Sequence, residues 1–256
     1  WTVVTRSLPF APRGECAVVV FDGGSGEKMW VMGGLWAKSD HERELYNDVW
    51  SSADGVNWTQ VQTSNVWPAR AWHRALVFQK KMWVIGGGIS VGAPPYWGND
   101  VWSSSDGASW TRVTAGAQWG PRFEFGAAVF NPASAPSVNQ MWICGGSDVN
   151  NQQLAESWHT EDGATWTKSS APWRARDRGN LLMLNDKLYL LGGVSDHDVL
   201  TDMWAMDANR NWSELPDRMP YQESDLGSWS ITSGVFKWRA WLSIYTPERP
   251  LFCYNP

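Results

Sequence analysis

The hexapeptide Met82-Trp83-Val84-Ile85-Gly86-Gly87 decides the fold of this 256-residue chain, because close copies of it recur along the sequence. The other copies are MWVMGG at residues 29–34, MWICGG at 141–146 and LYLLGG at 188–193. An apolar run that ends in a glycine pair predicts a buried β-strand that another backbone segment approaches closely. The recurrence therefore predicts a repeated architecture built from strands.

Two more motifs follow each copy of the hexapeptide. A short strand-like motif comes first, as NDVW at 47–50 and 99–102, ESW at 156–158 and DMW at 202–204. A turn that ends on Trp comes next, as SADGVNW at 52–58, SSDGASW at 104–110, TEDGATW at 160–166 and MDANRNW at 206–212. Asp-Gly is a tight-turn signal. With the apolar run before the hexapeptide, each copy predicts four strands, A to D, and the pattern explains most of the 21 Trp residues.

The repeat period, the glycine pair and the spaced tryptophans resemble the kelch repeat over nearly the whole chain. The resemblance implies an all-β fold, a kelch-type β-propeller of five four-stranded blades in a single domain over residues 1–256. The expected blades are 13–66, 70–118, 122–172, 176–219, and 224–256 completed by 1–9. The turn is also similar to the Asp-box of sialidase-type propellers, where it is a structural feature, so its Asp residues are expected to be structural.

The two ends of the chain predict how the propeller closes. Residues 1–4 match the start of strand D at 58–61, whereas 230–236, 240–244 and 251–254 match a degenerate A, B and C. We expect the first strand to pair with the last, which would remove an open sheet edge. This fifth copy has Ile244-Tyr245 in place of the glycine pair, so a six-bladed fold remains an alternative.

Composition excludes several classes of protein. With 43% apolar and 18% charged residues the chain is globular, and its net charge of −5 argues against nucleic acid as a partner. Its apolar stretches are too short for a membrane span. Three cysteines predict buried free thiols and favour an intracellular protein, although sequons at Asn57 and Asn211 leave a secretory compartment open.

An aromatic residue and an arginine precede each predicted strand A. The pairs are Phe10 with Arg13, Trp67 with Arg70, Trp119 with Arg122, and Trp173 with Arg176. The resemblance implies that the D–A and B–C loops share one face, where arginines of kelch adaptor proteins receive acidic residues of a partner peptide. These arginines are therefore candidate ligand-binding residues. The alternative is that each arginine ties adjacent blades together by bonding loop carbonyls.

The predicted B–C loops vary more than the rest of each repeat, as binding surfaces of repeat proteins do. They cover residues 35–46, 88–98, 147–155 and 194–201. Aromatic side chains on these loops or beside the arginines suit sugar rings or peptide side chains, with burial against a neighbouring loop as the alternative. The aromatic candidates for ligand binding are Trp36, Trp67, Tyr96, Trp97 and Trp119.

Catalytic and metal-binding patterns are weak. Asp40-His41-Glu42 and Asp196-His197-Asp198 are acidic clusters with a histidine, but neither has the spacing of a known zinc motif, so we expect no metal or cofactor. No set of catalytic residues can be assigned. The sequence therefore predicts a non-catalytic module for a protein or peptide partner, with a glycan-binding lectin and a sialidase-like glycosidase as alternatives.

Overall fold

The computed structural model describes residues 5, 7–37, 42–90, 97–217, 219, 230–236 and 239–245. These residues form an all-β structure in which no helix occurs, so no described helix could span a membrane. By their contacts the chain divides into two compact units, Trp1–Phe123 (unit 1) and Glu124–Pro256 (unit 2). Each unit contains two antiparallel four-stranded sheets, and unit 2 contains a further strand pair.

The strands follow the predicted order A to D in every four-stranded sheet. Sheet 1 consists of β1 (Ala17–Asp22), β2 (Glu27–Ala37), β3 (Arg43–Ser52) and β4 (Thr59–Val61). Sheet 2 consists of β5 (Arg74–Phe78), β6 (Lys81–Gly88), β7 (Trp97–Ser104) and β8 (Thr111–Thr114).

Unit 2 repeats this arrangement. Sheet 3 consists of β9 (Gly126–Phe130), β10 (Gln140–Cys144), β11 (Ser157–Thr160) and β12 (Thr167–Ser169). Sheet 4 consists of β13 (Asn180–Leu184), β14 (Lys187–Ser195), β15 (Asp198–Met206) and β16 (Trp212–Glu214). The strand pair is β17 (Ser230–Phe236) with β18 (Arg239–Tyr245). The repeated four-stranded sheet confirms the all-β fold and is consistent with a β-propeller-like arrangement. The predicted closure through residues 1–4 and 251–254 lies outside the described residues.

Strand order gives each sheet two different ends. The A–B and C–D turns lie at one end, called the turn end; the B–C loop and the segment before strand A lie at the other, called the loop end. In sheet 1, for example, Asp22 pairs with Glu27 at the turn end, and Gly14 bridges to Leu35 at the loop end.

The repeated tryptophans of strand B lie in the hydrophobic core, as the sequence predicts. Trp83 in β6 and Trp142 in β10 are 4% and 0% exposed, and burying an indole removes a large apolar area from water. The unit 1 core is built from Phe21, Trp30, Met32, Val49, Trp67, Met82, Val84 and Trp110. The unit 2 core is built from Ala128, Phe130, Trp142, Cys144, Trp173, Leu181, Leu188, Leu190 and Met206.

The glycine pair at the end of strand B permits the predicted close approach. Gly86 and Gly87 have φ of 55° and 92°, a region that favours glycine. A Cβ on Gly87 would lie 2.6 Å from the backbone nitrogen of His73 and 2.7 Å from the carbonyl oxygen of Ala71. The pair thus admits the backbone segment that leads into strand A.

The turn between strands C and D is held by its own polar groups. The Asp54 Oδ1 accepts hydrogen bonds from the backbone N–H groups of Val56 and Asn57, both at 2.8 Å, and Ser52 Oγ accepts one from Gly55 N–H at 2.9 Å. These donors, chiefly the Asn57 backbone, lower the pKa of the Asp54 carboxyl. The same bonds recur at Asp106 and Asp162, so these carboxylates stabilise the turn.

Candidate functional site

Three of the predicted arginines, Arg13, Arg70 and Arg176, form buried clamps within the sheets that they precede. The Arg70 side chain, 0% exposed, donates from Nη1 to the carbonyl of Gly86 at 2.8 Å. It also makes a two-point ion pair with Asp100, at 2.9 Å to Oδ1 and 2.8 Å to Oδ2. Asp100 Oδ2 accepts a third bond, from Trp102 Nε1 at 2.6 Å. This clamp joins the start of strand A to strands B and C.

The clamp recurs in sheets 1 and 4. Arg13 pairs with both oxygens of Asp48, and Arg176 pairs with Asp202 at 2.7 and 2.6 Å. Arg122 is likewise 1% exposed, and in the sequence the third repeat has Glu156 where the others have the aspartate. Buried ion pairs of this kind leave a guanidinium little capacity for an outside ligand.

The backbones of Arg70 and Arg176 bind the sheet before each of them. Arg70 N–H donates to the carbonyl of Tyr46 at 2.9 Å, and Gly34 N–H donates to the carbonyl of Arg70 at 2.8 Å. Arg176 bonds in the same way with Leu154 and Gly146. Arg70 and Arg176 each join two consecutive sheets, as expected if these arginines tie adjacent blades together.

Electrostatics favour the charged form of the clamp. Burial alone would raise the pKa of Asp100, but hydrogen bonds and charge from Arg70 outweigh burial and hold that pKa below its usual range. An acidic partner residue would have to displace this carboxylate from a guanidinium that solvent does not reach. The ligand-binding role predicted for the arginines therefore has no support in their position.

The predicted aromatic candidates separate into core and surface residues. Trp67 and Trp119 are both 0% exposed, and Trp67 packs edge-on against Trp110 with ring centroids 4.2 Å apart. Neither ring is presented to solvent, because the core needs both. Trp36 and Trp97 are partly exposed at the loop end, whereas Tyr96 lies outside the described residues.

The second acidic cluster binds an arginine of its own unit. Arg174 donates to Asp196 at 3.2 Å and to Asp198 at 2.9 Å. Asp196 and His197 both have positive φ in the turn between β14 and β15, a geometry that fits a two-residue hairpin. Within the described residues no group of three or more His, Cys, Asp or Glu side chains could hold a metal ion, and Asp40 and His41 of the first cluster are outside them.

Asp177 closes another part of the loop end of unit 2. Its side chain is buried, and its Oδ2 accepts hydrogen bonds from Ser147 Oγ at 2.8 Å and Gln153 Nε2 at 3.2 Å. Gln153 Oε1 in turn accepts the backbone N–H of Asp196 at 2.8 Å. This chain of bonds ties the B–C loops of sheets 3 and 4 together.

The structure reveals a candidate position that sequence reasoning missed, two residues after each arginine. Its residues have left-handed φ values of 53° to 55°, although none is glycine. They are Glu15, Trp72, Glu124 and Arg178. Such backbone strain clusters at functional sites. The available signal was that the clamp arginine is constant while this residue changes in nearly every repeat.

In unit 1 this position carries an aromatic surface. Trp72 N–H donates to the carbonyl of Glu15 at 3.1 Å, so the two residues lie on adjacent backbone segments. The Trp72 ring packs edge-on with Trp97 at 6.0 Å, and Phe123 stacks on Trp97 at 3.8 Å. Trp72, Trp97 and Phe123 are all partly exposed, and Glu15 is exposed. We call these four residues the acidic aromatic patch.

In unit 2 the same position carries an ion pair. Arg178 N–H donates to the carbonyl of Glu124 at 2.7 Å, which matches the backbone bond of unit 1. Arg178 Nε also donates to Glu124 Oε2 at 2.9 Å. The two charges therefore neutralise each other.

In sequence, this chain is similar to a short part of one much larger known protein. No protein-family model matches it. Over 222 aligned residues it is 27% identical to the alpha chain of flagellar outer-arm dynein from Chlamydomonas reinhardtii. The alignment covers 77% of this chain and 5% of the dynein chain, so the chain spans about a twentieth of that relative's length. This similarity indicates a related segment and assigns no activity.

Proposed function

We propose that this chain is a non-catalytic, kelch-type interaction module that binds a protein or peptide partner at its loop end. The observation that carries the proposal is the contrast between the two ends of the sheets. At the turn end, equivalent hydrogen bonds recur at Asp54, Asp106 and Asp162. At the loop end, a strained position changes its side chain from repeat to repeat. The fold requires the repeated hydrogen bonds of the turn end. It does not require the variation at the loop end, which is typical of a binding surface.

The finer fold belongs to the same proposal. Five kelch blades, Asp-box turns and a closing strand from residues 1–4 would join the described sheets into one ring. In that arrangement the loop ends of successive sheets would lie on one face. A partner could then contact several sheets together.

Glycan binding is the second candidate, because the acidic aromatic patch also fits a sugar. Trp72 and Trp97 are partly exposed aromatic rings, and the exposed Glu15 is on the backbone segment bonded to Trp72. Sugar rings pack on aromatic faces while their hydroxyls bond polar groups. A glycosidase would further need two carboxyl groups about 5 to 9.5 Å apart around the scissile bond.

An affinity pull-down run in parallel with a glycan array tests the choice. The unchanged chain is compared with Trp97→Ala at the loop end and with Val56→Ser, an exposed residue at the turn end. We expect the unchanged chain and the Val56 variant to retain a defined protein, and the Trp97 variant to lose it. Sugar binding without a retained protein would exclude the protein-partner proposal, and release of a hydrolysed sugar would exclude the non-catalytic one.

A further inference from the structure

Units 1 and 2 contain the same backbone arrangement with different side chains. In each unit the second left-handed residue donates its N–H to the carbonyl of the first, at 3.1 Å from Trp72 to Glu15 and at 2.7 Å from Arg178 to Glu124. The first residue is a glutamate in both units. Only the second residue differs, so the two pairs form an internal comparison.

The unit 2 pair shows what this arrangement accepts. The Arg178 guanidinium reaches the Glu124 carboxylate at 2.9 Å, with side-chain exposures of 40% and 13%. A cationic side chain on the second backbone segment can therefore form an ion pair with the glutamate on the first. Charge-assisted bonds of this kind are among the stronger polar contacts in proteins.

In the unit 1 pair the cation is replaced by an aromatic ring. Within the described residues the Glu15 side chain makes no hydrogen bond or ion pair. Trp72 occupies the equivalent backbone position, and its indole lies edge-on to Trp97. An exposed carboxylate next to indole rings attracts a cation by charge and by the negative face of the rings.

We propose that the acidic aromatic patch binds a lysine or arginine side chain of a partner peptide, with Glu15 as the counter-ion and Trp72 and Trp97 as the aromatic surface. The inference rests on the proposed interaction function and names the partner's chemistry. Unit 1 already holds one such contact, since the Arg13 guanidinium carbon lies 4.2 Å from the centroid of the Tyr46 ring. The chain's net charge of −5 also favours a basic partner.

This proposal reverses the charge of the partner expected from the arginines. Arg70 and Arg176 are 0% and 1% exposed and are paired with Asp100 and Asp202, so they offer no cationic surface. The exposed charge in the unit 1 patch is that of Glu15. Burial of the cations thus changes the preferred ligand from acidic to basic.

Peptides that differ only in charge test the proposal on the full chain. The probes are N-acetylated, fluorescently labelled decapeptides that alternate Gly with Lys, Arg, Glu or Ser, titrated by anisotropy to about 1 mM. We expect the Lys and Arg peptides to bind at least about tenfold more tightly than the Glu and Ser peptides. Tightest binding of the Glu peptide, or no binding of the basic ones, would overturn the proposal.

Three variants locate the binding. Trp72→Asn removes the ring and keeps a residue that tolerates left-handed φ, so folding is preserved, and affinity for the Lys peptide should fall by about fivefold or more. Glu15→Gln should have a similar effect. Glu27→Gln, an equal charge change at the turn end, should leave affinity unchanged. An equal loss with Glu27→Gln would reveal general charge attraction and contradict the site.

The outcomes separate this inference from the proposed function. A protein captured by the unchanged chain and lost with Trp97→Ala, but still bound by Trp72→Asn and Glu15→Gln, would support the module and exclude the basic-residue site. Capture of sugar alone, with no basic peptide bound, would exclude both.

Discussion

The Glu15–Trp72 and Glu124–Arg178 pairs are built on equivalent backbone positions, yet one presents an unneutralised carboxylate and the other an ion pair. The difference comes from a single side chain in each repeat. A clamp arginine stands two residues before the second member of each pair, Arg70 before Trp72 and Arg176 before Arg178. The comparison teaches that the repeat determines where a side chain emerges, while the residue placed there decides whether the site is open to a ligand.

The largest expected effect tests the shared framework of the two units. Trp83→Ala in unit 1 and Trp142→Ala in unit 2 each remove a buried indole, 4% and 0% exposed, and should cost about 3 to 5 kcal/mol of the free energy of unfolding. Denaturant unfolding followed by circular dichroism measures the loss. A stable, fully folded Trp83→Ala protein would contradict the core position of the repeated tryptophans.

The arginine clamps should contribute almost as much to the free energy of unfolding as the buried tryptophans do. Asp100→Ala and Asp202→Ala each leave a buried guanidinium without its carboxylate, which should lower the free energy of unfolding by about 3 kcal/mol. Arg174→Ala is the control, because the ion pairs of that exposed arginine are screened by solvent and should contribute far less to the free energy of unfolding. Equal effects of the buried and exposed variants in thermal or urea unfolding would show that the clamps are not structural.

The residue just before strand A differs between repeats, and this difference should make the stability of the protein depend on pH. Burial, reinforced by Arg70 and Arg74, lowers the pKa of His73 to about 3, whereas the equivalent residue of sheet 3 is Phe125. The unfolded chain takes up this proton near pH 6.5 and the folded chain does not, so stability is present above that pH and falls as pH drops toward 3. The expected slope is up to about 1.4 kcal/mol per pH unit.

His73→Phe should flatten that slope. Urea titrations of both proteins between pH 7 and 4.5 measure the difference, since most carboxylates titrate at lower pH. Parallel pH profiles for the two proteins would mean that His73 is protonated without cost in the folded state.

The smallest effect on stability should come from making the unit 1 pair resemble that of unit 2. Trp72→Arg supplies Glu15 with an internal cation, and this partly exposed ion pair should change the free energy of unfolding by less than about 1 kcal/mol. The same change should abolish binding of the Lys peptide, because the carboxylate is then neutralised. Trp72→Gln is the uncharged control, and if Trp72→Arg retained full binding the counter-ion role of Glu15 would be wrong.

Much of the fold could be predicted because short motifs within each repeat specify its strands and turns. The glycine pair at Gly86-Gly87, the turn at Asp54 and the apolar run at Trp83 each carry their own backbone or burial requirement. The site was harder to predict. The arginines were visible, but their partners Asp48, Asp100 and Asp202 lie 26 to 35 residues away along the chain. No local pattern distinguishes a buried paired arginine from an exposed one.

The repeat, its four strands and the positions that vary between copies can be read from the sequence alone. Those properties depend on apolar periodicity and turn chemistry over a few neighbouring residues. Folding is what makes Arg70 a clamp and what brings Glu15 and Trp72 onto adjacent, hydrogen-bonded backbone segments. Burial and the pairing of charges depend on segments brought together by folding, so the chemistry of the loop end, acidic and aromatic in unit 1 and ion-paired in unit 2, emerges only there.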